Sequence, residues 1–129
     1  LYVANGTFQI TAEGDGMSAE SYLFVQDGQY TIQAGGGSAN AVQSTSQTLA
    51  PANVQQTENT EDSSSTKGIK AVTDLTISGG TFSIDSADDS LHSNGNLSIN
   101  GGTIAIASGD DGIHADSAVA ISDGDINIS

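Results

Sequence analysis

Ten residues of this chain return every 22 positions, and nothing else in it narrows the fold as much. Leu75-Thr76-Ile77-Ser78-Gly79-Gly80-Thr81-Phe82-Ser83-Ile84 comes back as Leu97-Ser98-Ile99-Asn100-Gly101-Gly102-Thr103-Ile104-Ala105-Ile106, 22 residues on. A further 22 brings Val119-Ala120-Ile121-Ser122-Asp123-Gly124-Asp125-Ile126-Asn127-Ile128. Upstream, Val3-Ala4-Asn5-Gly6-Thr7-Phe8-Gln9-Ile10 and Val25-Gln26-Asp27-Gly28-Gln29-Tyr30-Thr31-Ile32 keep the spacing. Glycine falls in register at Gly6, Gly28, Gly80, Gly102 and Gly124; the step from 28 to 80 is 52, or 22 plus an insertion of 30. A period of this length is the mark of a solenoid, in which each repeat covers the apolar face of the next.

Inside one repeat, alternation at period 2 turns Leu75, Ile77, Phe82 and Ile84 inward and Thr76, Thr81 and Ser83 outward. Stacked repeats then form aliphatic columns: Val25–Ile77–Ile99–Ile121, Ile10–Ile32–Ile84–Ile106–Ile128, and Met17–Ile69–Leu91–Ile113. Twenty-two residues hold three short strands and three corners. The expected fold is all-β, a right-handed parallel β-helix (three-sided solenoid) of about five 22-residue rungs. A β-sandwich does not need five glycines in register. Composition agrees, since 36% hydrophobic residues with three Phe and three Tyr suit a narrow aliphatic column, and 16 Gly suit many corners. Tyr2, Tyr22 and Phe24 are the aromatic residues that fall off the core columns. Residues 1–129 read as a single β-helix domain, part of a longer solenoid or of a stacked assembly. Residues 36–65 break the rhythm with a Ser-, Thr-, Gln- and Asn-rich stretch that holds Pro51, Glu58, Glu61 and Asp62. It is expected to lie along one face as packing; a flap over a ligand groove or a subunit contact is the alternative.

Charge is lopsided: 16 Asp and Glu stand against Lys67 and Lys70, for a net −14. Such a chain calls for cations and is repelled by nucleic-acid phosphates. Without cysteine it has no disulfide or thiol chemistry. It lacks the run of about 18 apolar residues that a membrane-spanning helix needs, so no membrane insertion is expected. It begins at Leu1 with no leader, so either a leader was removed or the sequence is an excerpt.

The acid concentrates in one corner. Aligned there, four columns read Gly14–Thr66–Asp88–Asp110, Asp15–Lys67–Asp89–Asp111, Ser18–Lys70–His92–His114 and Glu20–Val72–Asn94–Asp116. Stacking sets Asp88 over Asp110 and Asp89 over Asp111 at about 4.8 Å. Two unit charges at that distance repel by about 3–4 kcal/mol at an effective dielectric near 20. One Asp per corner caps its own turn; two adjacent Asp repeated in the next rung fit that poorly, and their repulsion must be offset by protonation, by a cation or by outward splaying into water. An oxygen-only cluster suits Ca²⁺, which takes 6–8 oxygens. The candidate metal ligands are Asp88, Asp89, Asp110, Asp111, Asp116 and Asn94. Lys67 is expected to bridge a ladder Asp15–Lys67–Asp89. As a base beside Ca²⁺, Lys67 or Lys70 offers eliminase chemistry on a uronate, but an ammonium among carboxylates is in the wrong state for a base. His92 and His114 should point outward, hydrogen-bonded to a nearby Asp. Zinc is the lesser alternative, since soft ligands are absent.

The motifs Ile77-Ser78-Gly79-Gly80-Thr81-Phe82, Asp88-Asp89-Ser90-Leu91-His92-Ser93 and Asp110-Asp111-Gly112-Ile113-His114-Ala115-Asp116 resemble a family of bacterial extracellular carbohydrate-binding domains. The variants Thr66-Lys67-Gly68-Ile69-Lys70-Ala71 and Gly14-Asp15-Gly16-Met17-Ser18-Ala19-Glu20-Ser21 fit the same family. That resemblance implies a polysaccharide-lyase-like right-handed β-helix that binds Ca²⁺ between rungs and adheres to cellulose- and pectin-type polysaccharide. It implies a noncatalytic binder, extracellular or at a bacterial cell surface, with Asp88, Asp89, Asp110 and Asp111 as calcium ligands. Two other functions stay open: a pectate-lyase-like eliminase, and a filament subunit. The latter would stack end to end through Val119, Ile121, Ile126 and Ile128 against Val3, Phe8, Ile10 and Met17 of the next copy.

Overall fold

Alternating apolar and polar residues give short strands, and the 22-residue period places each strand beside its own copy. A computed structural model describes residues 1–41 and 65–129. Three parallel sheets form the sides of a β-solenoid of about five turns. The first sheet stacks β1 (Tyr2–Val3), β4 (Tyr22–Val25), β7 (Asp74–Ile77), β10 (Asn96–Ile99) and β13 (Ala118–Ile121). The second stacks β2 (Thr7–Ala12), β5 (Gln29–Ala34), β8 (Thr81–Ser86), β11 (Thr103–Ser108) and β14 (Asp125–Ile128). The third stacks β3 (Met17–Ala19), β6 (Ile69–Ala71), β9 (Leu91–Ser93) and β12 (Ile113–Ala115).

All three aliphatic columns appear in the register the repeat predicts. Val25 pairs with Ile77, Ile77 with Ile99 and Ile99 with Ile121. Ile10 leads through Ile32, Ile84 and Ile106 to Ile128. Met17, Ile69, Leu91 and Ile113 line the third side. A fourth column is aromatic. Phe8 stacks on Tyr30 at 5.1 Å between ring centroids, and Tyr30 on Phe82 at 4.5 Å, with the planes within 9°. The Tyr30 hydroxyl donates to the Asp27 carbonyl at 2.7 Å, so a buried phenol keeps its partner. Burial, and then the Asp27 charge, push its pKa up.

The glycine register has a steric cause. Gly28, Gly80 and Gly102 sit at φ 130°, 110° and 106°, where the chain turns from the first sheet into the second. A Cβ at Gly80 would lie 3.0 Å from the Gly28 carbonyl, and one at Gly102 would lie 2.9 Å from that of Gly80. Only glycine combines that dihedral with that approach of the neighbouring rung.

The insertion leaves after β5. Gly35, Gly36 and Gly37, all at positive φ, lead into a single 3-10 turn at Ser38–Asn40. The Ser38 N–H donates to Asp85 Oδ1 at 2.7 Å, which ties the start of the excursion to the next rung. The expectation of a packing loop or flap over residues 36–65 falls mostly on 42–64, which lie outside the described residues. The chain is back in register at Lys67, whose N–H donates to Asp15 Oδ1 at 2.9 Å.

Candidate functional site

The corner between the second and third sheets is shaped by buried serines. Ser86 and Ser90 are fully buried, with their hydroxyls 2.7 Å apart. Ser86 Oγ donates to the Asp88 carbonyl at 2.9 Å, and Ser108 Oγ lies 2.8 Å from the same carbonyl. With its carbonyl held from inside, the turn leaves the Asp88 side chain partly exposed at the corner, while that of Asp89 is buried beside it. The acidic columns do not bring out these serines. Their own register, Ser86 over Ser108, was the available signal.

The structure divides the six predicted ligands into two groups. Asp88, Asp89 and Asp110 converge, each with a carboxylate oxygen within 4.8 Å of the others. Asp111, Asp116 and Asn94 instead serve the histidines. His92 Nδ1 lies 2.7 Å from Asp89 Oδ2, and its Nε2 lies 2.8 Å from Asn94 Oδ1. His114 Nδ1 lies 3.1 Å from Asp111 Oδ2, and its Nε2 lies 3.0 Å from Asp116 Oδ1. The two imidazoles stack at 4.9 Å, 6° from parallel. They are hydrogen-bonded to neighbouring Asp, as expected.

The expected ladder Asp15–Lys67–Asp89 is corrected. Lys67 Nζ pairs with Asp88 Oδ2 at 2.5 Å, and Lys70 Nζ lies 3.9 Å from Asp15 Oδ2. The reason is competition for oxygens. Asp89, only 4% exposed, gives one oxygen to His92 and accepts the Asp111 N–H with the other. Asp15 already takes the Lys67 N–H. Asp88 is the carboxylate left for the ammonium.

Charge is unevenly offset across this corner. Burial is the largest single influence on Asp88 and disfavours its charged form, but the hydrogen bond from Lys67, the backbone hydrogen bond from Asp89 and the charges of Lys67 and His92 together outweigh it and leave the pKa below the ordinary value. Asp110 moves the other way, raised by burial and then by the charges of Asp111, Asp89 and Asp88. Three carboxylates against one ammonium leave two negative charges. An all-oxygen donor set with that surplus suits a hard divalent cation.

His114 sits between two carboxylates that only accept, so both ring nitrogens must donate and the imidazolium is favoured. Its pKa is raised, first by the hydrogen bond to Asp116 and then by that to Asp111. The stabilisation is therefore complete below the unfolded value near 6.5 and lost as pH rises through the higher folded value. The melting temperature is expected to fall modestly as pH rises from about 6.5, with this step removed in His114→Gln. Thermal melts of both proteins across that range are the check; parallel profiles contradict it.

A family model described as carbohydrate-binding domain-containing protein matches residues 1–112. No curated protein and no solved structure matches the chain.

Proposed function

The chain belongs to the carbohydrate-binding domain-containing protein family, and on that footing we propose that it is a noncatalytic polysaccharide-binding β-solenoid, stabilised by calcium and working outside the cell or on its surface. The family match carries this reading, because it spans four of the rungs and the acidic corner as far as Gly112. Elimination on a uronate needs a free base, whereas both lysines lie against carboxylates, Lys67 on Asp88 and Lys70 near Asp15. A rigid stack of parallel strands suits adhesion to an extended polymer, since it presents outward side chains at regular spacing without ordering a loop.

Asp88, Asp89 and Asp110 are the residues that would hold calcium, with Lys67 staying on Asp88 as a neighbouring charge. Bound there, the ion would join rungs through their side chains and offset the repulsion between stacked carboxylates. Asp111, Asp116 and Asn94 are left to the histidine pair.

The test is co-sedimentation with insoluble cellulose and with a pectin gel, in calcium and in EDTA. Retention on at least one polymer in calcium, weakened in EDTA, is the expected result. Absence of retention in both conditions ends the binding reading. Release of ultraviolet-absorbing unsaturated ends from polygalacturonate would make the protein an eliminase instead.

A further inference from the structure

The outer faces of the three sheets differ, and among the described residues only the first presents Tyr or Phe rings. On the first sheet, Tyr2 pairs in register with Phe24, and Phe24 with Thr76, which in turn pairs with Ser98. Beside that row runs another, Tyr22 over Asp74 over Asn96. Tyr2 and Tyr22 are 58% and 59% exposed, among the most exposed large apolar side chains described. The Tyr2 and Phe24 rings are 5.4 Å apart and 5° from parallel, and the Tyr2 hydroxyl is anchored on Gln26 Oε1. Exposed rings held this way, beside ordered polar side chains, are an interaction surface, not a core feature.

We propose that this outer face of the first sheet is where a glycan lies, running along the solenoid axis. This rests on the carbohydrate-binding reading above. Tyr2 and Phe24 cover one face of each other, so the ring surface left to a sugar is that of Tyr22, which stacks on no described ring, and the uncovered face of Tyr2; such a surface carries negative charge density and attracts the C–H groups on the flat face of an equatorially substituted pyranose. Beyond the rings, the hydroxyls of Thr76 and Ser98 and the amide of Asn96 supply partners for sugar hydroxyls in the next rungs. Asp74 uses Oδ1 on Asn96, at 2.8 Å to its backbone N–H, and Oδ2 has no partner among the described residues. Rungs repeat at about 4.8 Å, close to the length of one pyranose unit, so successive sugars along the axis meet first the rings and then the polar side chains of successive rungs.

Charge decides the sugar class. Asp74 is the one side chain charged at neutral pH at the outward strand positions of this face, and it is acidic, as is the protein with its net −14. A polyuronate would be repelled, while a neutral glycan would not. The other two faces fit less well. The second sheet has no outward aromatic residue among those described, and the outward column of the third is occupied by the Lys70 pair and the bonded histidines.

The chain has three tyrosines and no tryptophan, and Tyr30 is buried, so a change in tyrosine fluorescence on adding a glycan reports on Tyr2 and Tyr22. Cellohexaose is titrated by calorimetry and fluorescence against wild type, Tyr2→Ala, Tyr22→Ala, Tyr22→Phe and Thr103→Ala, a substitution on the outer second sheet. Each Tyr→Ala should weaken binding about three- to tenfold. Tyr22→Phe should restore it, and Thr103→Ala should change nothing. Thermal melts confirm folding, which these exposed positions should spare. Unchanged affinity in both alanine variants, with wild type bound, overturns the assignment of the face but leaves carbohydrate binding standing. Tighter binding of hexagalacturonate than of cellohexaose overturns the neutral class. Failure of wild type to bind any polysaccharide overturns both.

Discussion

Phe82→Ala is expected to lower stability by about 3–5 kcal/mol, a large part of the roughly 5–15 kcal/mol that holds a domain of this kind. Phe82 is fully buried in the third rung, stacked on Tyr30 at 4.5 Å. Its loss leaves a cavity that the column cannot close, because the rungs on both sides are held at fixed spacing by their own ladders. In a solenoid each rung contacts only its neighbours, so a defect at the centre weakens both halves of the stack. A built-in control lies in one column. Ile99 is completely buried and Ile121, one rung on, is 50% exposed. Ile99→Ala should cost about 2–5 kcal/mol, and Ile121→Ala well under half of that. Urea midpoints of the three variants decide the matter. Equal losses for Ile99→Ala and Ile121→Ala would contradict the burial gradient.

The repeat made the fold legible because a rigid stack turns sequence offset directly into spatial register. An offset of 22 along the chain becomes one rung, so Ile77 had to meet Ile99, and it does. The same offset placed Lys67 below Asp89 and Asp110 above Asp88, but it could not say which oxygen each side chain would take. Register fixes Cα positions, whereas Lys and Asp side chains choose partners by rotamer and by what is already occupied. Each Asp89 oxygen already had one partner, His92 or the Asp111 N–H, with a single lone pair left on each, so Lys67 turned to the freer Asp88. Asp111 and Asp116 reached His114 in the same way, leaving three of six predicted ligands together. The aromatic column was only half visible: Phe82 reads as inward from alternation, but its stacking with Tyr30 and Phe8 depends on ring orientation, which no spacing records.

Lys67→Met is expected to separate the two sources of charge compensation in the acidic corner. The Lys67 side chain is 14% exposed, and its stem would be matched by methionine, so the change removes chiefly the ammonium from Asp88. Losing one partner of a buried pair costs about 3–5 kcal/mol. Asp88 is 30% exposed, so solvent screens part of this and about 2–3 kcal/mol is expected in EDTA. Three carboxylates then face one another with no cation from the chain. Under our calcium proposal, a ligand bound only to the folded state stabilises by mass action, about 2.7 kcal/mol at a hundredfold excess over Kd. Calcium should therefore raise the melting temperature of wild type, and raise that of Lys67→Met by more, because the site has gained a negative charge. Magnesium should do less, since it demands a tighter octahedral shell. Asp88→Asn combined with Asp110→Asn should leave the melting temperature indifferent to calcium. Superimposed curves in calcium and EDTA for both wild type and Lys67→Met would refute the metal, while a drop in Lys67→Met alone would still establish the Lys67–Asp88 pair.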